Sequence, residues 1–284
     1  MTDPRTTPDP GLVTLNEPAA VAVPVADLLR TPGGPRDRQL MLGAGVTVLH
    51  RTDGHALVRA TADGYCGYLP DAAIGPATTP THQVTTRLAH AYARPDIKSP
   101  ETMVLSFGSR LTALSETAVF IETSHGFVPR QQVHQAGVLA SDPASVAAIF
   151  EGTPYLWGGN TGSGIDCSGL VQAACLSCGI DCPGDSDQQQ AWLGTLLPEG
   201  TPPQRNDLLF WKGHVALVTD DATLIHANAG HMLVRFEPTD DAIARIMAQD
   251  GGPVTAHKRL PVPAGARLLD RADQLALQHP QHGL

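Results

Sequence analysis

Residues 155–171 read Tyr-Leu-Trp-Gly-Gly-Asn-Thr-Gly-Ser-Gly-Ile-Asp-Cys-Ser-Gly-Leu-Val, and the rest of the chain is best read outward from them. A helical run, SGLVQAACLSCG, begins at Cys167 or Ser168 and stops at Gly179, so the pattern predicts a cysteine at a helix N-terminus. A thiol is a useful nucleophile only as thiolate, and the dipole and free N–H groups of a helix start lower its pKa. The N–H of Cys167 can also face a carbonyl oxygen as it becomes an oxyanion. Taken alone, a cysteine at a helix start reads more readily as a small buried packing residue, and it is the surrounding motif that reverses this.

A thiolate needs a base near it. In Lys212-Gly213-His214-Val215-Ala216-Leu217-Val218 a histidine stands at the head of a β-type strand, and Leu224-Ile225-His226-Ala227 places a second one on the next. The separation of twelve residues suits a tight hairpin with the two imidazoles side by side. His226 would then hold the tautomer of His214, as the third group of a triad does, although each could be an ordinary strand histidine. Around them NDLLFW, HVALVTD, ATLIHA and MLVRFEP read as successive strands. Upstream, SVAAIFEG is spaced as a helix, capped by Ser141 and Asp142 and ended at Gly152. A helical layer followed by an antiparallel sheet predicts an α+β domain over 139–284. His231, His257, His279 and His282 have no carboxylate or cysteine context and are expected on the surface or in loops.

Ahead of this domain the period changes to that of short strands. GVTVLH, HALVRA after Asp53-Gly54, and GYCGYL after Asp63-Gly64 read as a meander, and the pattern returns over 102–133. Two small all-β barrels are predicted, over 21–78 and 79–138, behind an arm of residues 1–20 rich in Pro, Thr and Asp.

Composition excludes several classes of function. The 284 residues carry a formal charge of -9, which repels nucleic acid and anionic lipid. No stretch approaches the roughly 20 apolar residues of a membrane span. The N-terminal MTDPRTTPDP lacks a cationic segment followed by an apolar run, so a cytoplasmic location is expected. The cysteines, Cys66, Cys167, Cys175, Cys178 and Cys182, do not form a disulfide framework. Cys175-x-x-Cys178-x-x-x-Cys182 lacks the paired spacing of a zinc site and reads as small buried residues. No metal or cofactor is expected.

Tyr-x-Trp-Gly-Gly, Asp-Cys-Ser-Gly, Gly-His-Val and Ile-His-Ala stand in order, and over roughly 140–260 the chain resembles the NlpC family of papain-like cysteine peptidases. The resemblance implies a triad of Cys167, His214 and His226, with Tyr155 helping to bind the oxyanion. Asp63-Gly64-Tyr65-Cys66-Gly67-Tyr68-Leu69 resembles the aromatic strand pair of bacterial SH3-like domains, and Ser124-His125-Gly126-Phe127-Val128-Pro129 is its weaker counterpart. The layout of two SH3-like modules ahead of the peptidase is similar to γ-D-glutamyl-L-diamino acid dipeptidyl-peptidases, which act on murein peptides. That likeness implies substrate contacts from Asp166, Ser168, Asp185 and Ser186, and a Tyr65 that caps the site and selects a free N-terminal L-Ala.

The chain departs from this pattern in two places. Gly184 stands where the family has Arg before the Asp-Ser pair, and no acidic residue of the first SH3-like domain aligns firmly with the one that assists amine binding, Asp37 being one candidate. Two other functions share these features: a wall-peptide binding module, and an amidase or acyltransferase on the same core. The intact Cys167, His214 and His226 favour the peptidase. Sequence carries no sign of the oligomeric state.

Overall fold

The structure is a computed structural model that describes residues 3–249 and 251–261. Its first sheet holds β1 (Glu17–Val21), β2 (Val25–Leu29), β3 (Arg36–Met41), β4 (Gly45–Thr52), β5 (His55–Ala60), β6 (Cys66–Pro70) and β7 (Ile74–Pro76), in the order β3-β2-β6-β5-β4-β1-β7. Alternation along β4 sends Val46 and Val48 into a core with Leu28, Val58 and Leu69. A register shift between Val48 and His50 then turns Leu49 toward a second cluster with Leu57 and Cys66. Asp53 and Gly54 both have positive φ, 48° and 72°, which gives the hairpin turn a twist that matches its strands.

The arm expected over residues 1–20 ends sooner, because β1 starts at Glu17 and pairs with both β4 and β7. Glu-Pro-Ala-Ala-Val carries little strand signal. Pro18 lies outside the pairing with β7, so its missing N–H leaves that ladder intact.

The next region holds β8 (His82–Val84), β9 (Leu88–Tyr92), β10 (Glu101–Ser106), β11 (Arg110–Leu111), β12 (Ala113–Glu116), β13 (Phe120–Thr123), β14 (Gly126–Pro129) and β15 (Val133–Gln135). They form a five-stranded sheet, β10-β9-β14-β13-β12, and a three-stranded one, β11-β8-β15. Leu42 of the preceding domain completes their core with Val84, Leu105, Ile121 and Val128.

Beyond residue 138 come α1 (Pro143–Ala148), β16 (Asn160–Thr161), β17 (Gly164–Ile165), α2 (Cys167–Ser177), α3 (Ser186–Trp192), β18 (Thr195–Leu196), β19 (Asp207–Trp211), β20 (His214–Val218), β21 (Thr223–Asn228), β22 (Leu233–Pro238), α4 (Thr239–Ala248) and β23 (Ala256–Arg259). Six of these strands form a sheet in the order β18-β23-β19-β20-β21-β22. Asp142 caps α1 by accepting the N–H of Ser145 at 3.0 Å, as expected, but the helix ends at Ala148 rather than at Gly152. No helix among the described residues is long and apolar enough to cross a membrane.

Contacts divide the chain into two units. One takes the residues up to Val138 together with Thr153–Gly169, and the other takes Leu139–Gly152 and the described residues from Leu170 onward. Residues 153–169 of the span 139–284, expected as one domain, thus fall by their contacts with the first unit. The cause is a set of long-range bonds between this segment and the first sheet, set out below.

Candidate active site

The cysteine is built within the first unit. The β16–β17 hairpin leads through Asp166 into Cys167, the first residue of α2. Tyr155 bridges Ile165 in parallel register, Ile165 N–H donates to the Pro154 carbonyl at 3.1 Å, and Asp166 N–H donates to that of Gly159 at 3.1 Å. Two runs of chain are thereby held side by side just ahead of the thiol. The Asp166 carboxylate closes the junction. Its Oδ1 accepts Gly169 N–H at 2.7 Å and Ser168 Oγ–H at 3.1 Å, and its Oδ2 accepts Gly158 N–H at 2.9 Å. Gly169 is the third residue of α2, so Asp166 is an N-cap that satisfies a donor the helix itself leaves open. Burial pushes its pKa up, against the pull of these donors and of the Arg38 charge.

Cys167 is 7% exposed. Burial raises the Tyr155 phenol, and the charges of Cys167 and Asp166 add to that, so Tyr155 keeps its proton at neutral pH as a donor must.

Strand β3 holds this loop from outside. Arg36 donates to the Trp157 carbonyl from Nε at 3.2 Å and from Nη2 at 2.8 Å. Gln39 N–H donates to Asn160 Oδ1 at 3.1 Å, and Asn160 N–H returns a bond to Gln39 Oε1 at 3.3 Å. Gly158 has φ 67°, and a Cβ there would meet the Asp37 carbonyl oxygen at 2.6 Å. Only glycine fits both the conformation and the approach.

Arg38 is a residue the sequence did not single out. It is 4% exposed, ion-paired to Asp63, and lies 5.0 Å over the Tyr65 ring. The Tyr65 ring is itself 2% exposed and belongs to the core of the first sheet, so a cap formed by the whole ring does not fit its burial. The Asp37 carboxylate is bonded to Arg30, at 2.5 Å from Nη2.

The histidines are built within the second unit. Trp211 pairs with His214 across β19 and β20, their rings 5.6 Å apart. His214 Nε2 lies 2.9 Å from His226 Nδ1, and His226 Nε2 lies 2.9 Å from Glu237 Oε2. Arg245 closes the row with two bonds to Glu237, Nε to Oε1 at 2.9 Å and Nη2 to Oε2 at 2.7 Å. Glu237 pairs with Leu224, two residues before His226, which makes it the diagonal neighbour of His226 on one face of the sheet.

Burial pushes the His214 pKa down to about 3, with the His226 and Arg245 charges adding to the fall. Burial likewise takes His226 down to about 4, against the pull of Glu237. The guanidinium of Arg245 is the main cause of a Glu237 pKa of about 2. At neutral pH both imidazoles are uncharged and the carboxylate is ionised.

Asp185 and Ser186 open α3 in the same unit. Asp185 stands at the N-cap position, and its carbonyl accepts Gln189 N–H at 2.8 Å. Cys175, Cys178 and Cys182 are all buried, and burial raises the Cys178 thiol to about 12. His257 departs from expectation: its Nε2 lies 2.8 Å from the buried Asp207 carboxylate. His231 bonds to Asn228, while His279 and His282 lie outside the described residues.

Residues 152–248 match the NlpC/P60 family, and residues 28–74 match the bacterial dipeptidyl-peptidase SH3 domain. The chain carries an NlpC/P60 cysteine peptidase domain. A γ-D-glutamyl-L-lysine dipeptidyl-peptidase of Bacillus cereus is 26% identical to this chain over 236 residues, 71% of this chain and 70% of that protein. Dipeptidyl-peptidase 6 of Lysinibacillus sphaericus is 28% identical over 236 residues, covering 72% of this chain and 84% of its own length. An NlpC/P60 family protein of known structure from Bacillus cereus shares the fold, with a TM-score of 0.71 at 22% identity over 87% of this chain and 100% of that one. The NlpC/P60 assignment therefore joins a papain-like domain to an N-terminal SH3-like region.

Proposed function

We propose that this NlpC/P60 enzyme hydrolyses the bond between γ-D-Glu and the diamino acid in murein-derived peptides that bear a free N-terminal L-Ala. The observation that carries the reading is Cys167 as first residue of a helix capped by Asp166, together with a buried, uncharged His214–His226 pair in the order the family requires. The names of the two dipeptidyl-peptidase relatives support the substrate class.

In this mechanism the Cys167 thiol gives its proton to His214, and the sulfur attacks the γ-carbonyl carbon of D-Glu. The oxyanion is held by the Cys167 N–H and the Tyr155 hydroxyl. Collapse breaks the C–N bond, and His214 returns the proton to the leaving amine of the diamino acid. Water then attacks the thioester, His214 takes its proton, and L-Ala-γ-D-Glu leaves as the thiol re-forms. His226 orients His214 throughout. Asp166, Ser168, Asp185 and Ser186 are assigned to the dipeptide portion, and the Tyr65 hydroxyl to its amino end. Such a substrate suits recycling of wall peptides in the cytoplasm.

The test is digestion of L-Ala-γ-D-Glu-meso-diaminopimelate, with Cys167→Ser as control. Release of L-Ala-γ-D-Glu and free diaminopimelate by the wild type alone is expected. Intact peptide, or cleavage by the Cys167→Ser protein at more than about a tenth of the wild-type rate, would refute the assignment.

A further inference from the structure

Two histidines in hydrogen-bond contact leave their tautomers open, because either ring nitrogen can carry the proton. The neighbours of His226 decide the matter. Glu237 Oε2 lies 2.9 Å from His226 Nε2, and both carboxylate oxygens also accept from Arg245, at 2.9 and 2.7 Å. A carboxylate gripped in this bidentate way stays ionised and can only accept. His226 must therefore donate from Nε2, which leaves its Nδ1 as an acceptor. The atom 2.9 Å from that Nδ1 is His214 Nε2, which must in turn be the donor. The lone pair of neutral His214 is then confined to its Nδ1.

We infer that Glu237, held by Arg245, is a positioning residue for catalysis that sets the tautomers of His226 and His214 in series and so presents His214 Nδ1 as the proton acceptor. The inference rests on the proposal that His214 is the base. It extends the row of three groups by a carboxylate and its guanidinium, which act on the base through His226. When His214 takes the thiol proton, its positive charge is met through His226 by the Glu237 carboxylate, without a change in any of these bonds. Among the described residues, the charges that act on the row include Glu237, Arg245 and His231 beside His226, and His226, Arg245 and Glu237 beside His214. Of these, Glu237 carries the negative charge.

A single substitution at Glu237 would strand Arg245 or alter folding, so the informative variant replaces both by Met, Glu237→Met with Arg245→Met. Exchange of a largely buried ion pair for apolar side chains of similar size commonly leaves a fold intact. Long-range ¹H–¹⁵N spectra of the full chain at neutral pH read the tautomers directly. The wild type is expected to show both His214 and His226 protonated at Nε2 and bare at Nδ1. In the double variant the two rings should become tautomeric mixtures. On the murein tripeptide kcat should fall at least about 10-fold while KM stays within about threefold, as for loss of an orienting group.

A wild-type His214 protonated at Nδ1 would overturn the inference. So would a double variant with unaltered tautomers, whatever its rate, or one with mixed tautomers and wild-type kcat. Failure of the parent reading looks different, since His214→Ala would then keep its activity while the wild-type tautomers remained as described.

Discussion

Acid should unfold the histidine-bearing part of this protein along a slope set by His226 and His214 together. The ring is 0% exposed, and its pKa is lowered from 6.5 to about 4, first by burial. In the unfolded chain the same imidazole titrates at its ordinary value, so below about pH 6.5 the unfolded state binds a proton that the folded state refuses. Stability is therefore fully present above pH 6.5 and declines as pH falls toward 4. A gap of roughly 2.5 units at about 1.36 kcal/mol per unit amounts to about 3 kcal/mol from this group. His214, lowered to about 3, acts in the same direction, and Glu237, lowered from 4.5 to about 2, adds a further loss that starts only below 4.5.

Urea unfolding at a series of pH values between about 7 and 4.5 measures the slope. Trp211, 1% exposed and 5.6 Å from the His214 ring, supplies a local fluorescence signal. His226→Gln keeps an uncharged hydrogen-bonding group of similar reach and removes the titration. Its stability should fall about half as steeply as that of the wild type over this range, the remaining slope being owed to His214. Parallel curves for the two proteins over this range would refute the argument, because they would mean that burial of His226 does not exclude its proton.

Gly158→Ala should loosen the seam between β3 and the loop that precedes Cys167, since the new Cβ lies 2.6 Å from the Asp37 oxygen at a positive φ. A stability loss of at least about 1 kcal/mol and a lower kcat are expected, checked by urea titration and by turnover of the tripeptide. N-acetylation of the substrate L-Ala should lower kcat/KM by at least roughly 30-fold, because the carboxylate proposed to meet the amine, Asp185, is left unpaired. Tyr65→Phe, compared on the same two peptides, should narrow that gap. The Phe variant is the proper probe because truncation of the buried ring to Ala would itself cost about 3–5 kcal/mol.

The features legible in the sequence were local ones. Asp53-Gly54 announces its hairpin because both residues tolerate positive φ, and Cys167 announces a helix start because Gly179 closes the run behind it. The His214–His226 spacing was readable because a tight hairpin fixes the partner of each residue within a few positions. Glu237 was not readable in MLVRFEP, where it looks like any outward-facing strand residue. Its role follows from the register of β21 on β22, which only the folded sheet defines. Arg38 escaped notice for a similar reason. Nothing in Arg36-Asp37-Arg38-Gln39 separates the arginine that is buried against Asp63 from its neighbour that reaches the Trp157 carbonyl. His257 has no carboxylate near it in sequence, because its partner Asp207 is 50 residues away.

The allegiance of residues 153–169 to the first unit has a physical basis that bears on how the nucleophile is held. The stretch Trp157-Gly158-Gly159-Asn160-Thr161-Gly162-Ser163-Gly164 has four glycines in eight residues, so it has much conformational freedom to lose on folding. Its own hairpin, β16 with β17, contributes only two residue pairs. The rest of the order comes from outside: two bonds from Arg36, the reciprocal pair of Gln39 with Asn160, and the bond from Gly162 N–H to Ser106 Oγ at 2.8 Å. Each net hydrogen bond of this kind is worth about 1 kcal/mol, comparable to the cost of fixing one residue's backbone. Five such bonds can offset much of the ordering cost of the loop, and the Asp166 cap then passes that order on to the first turn of α2. The thiol of Cys167 thus owes its fixed position in large part to strand β3 and to Ser106 of β10. A reactive group held to within a fraction of an ångström needs such rigid backing.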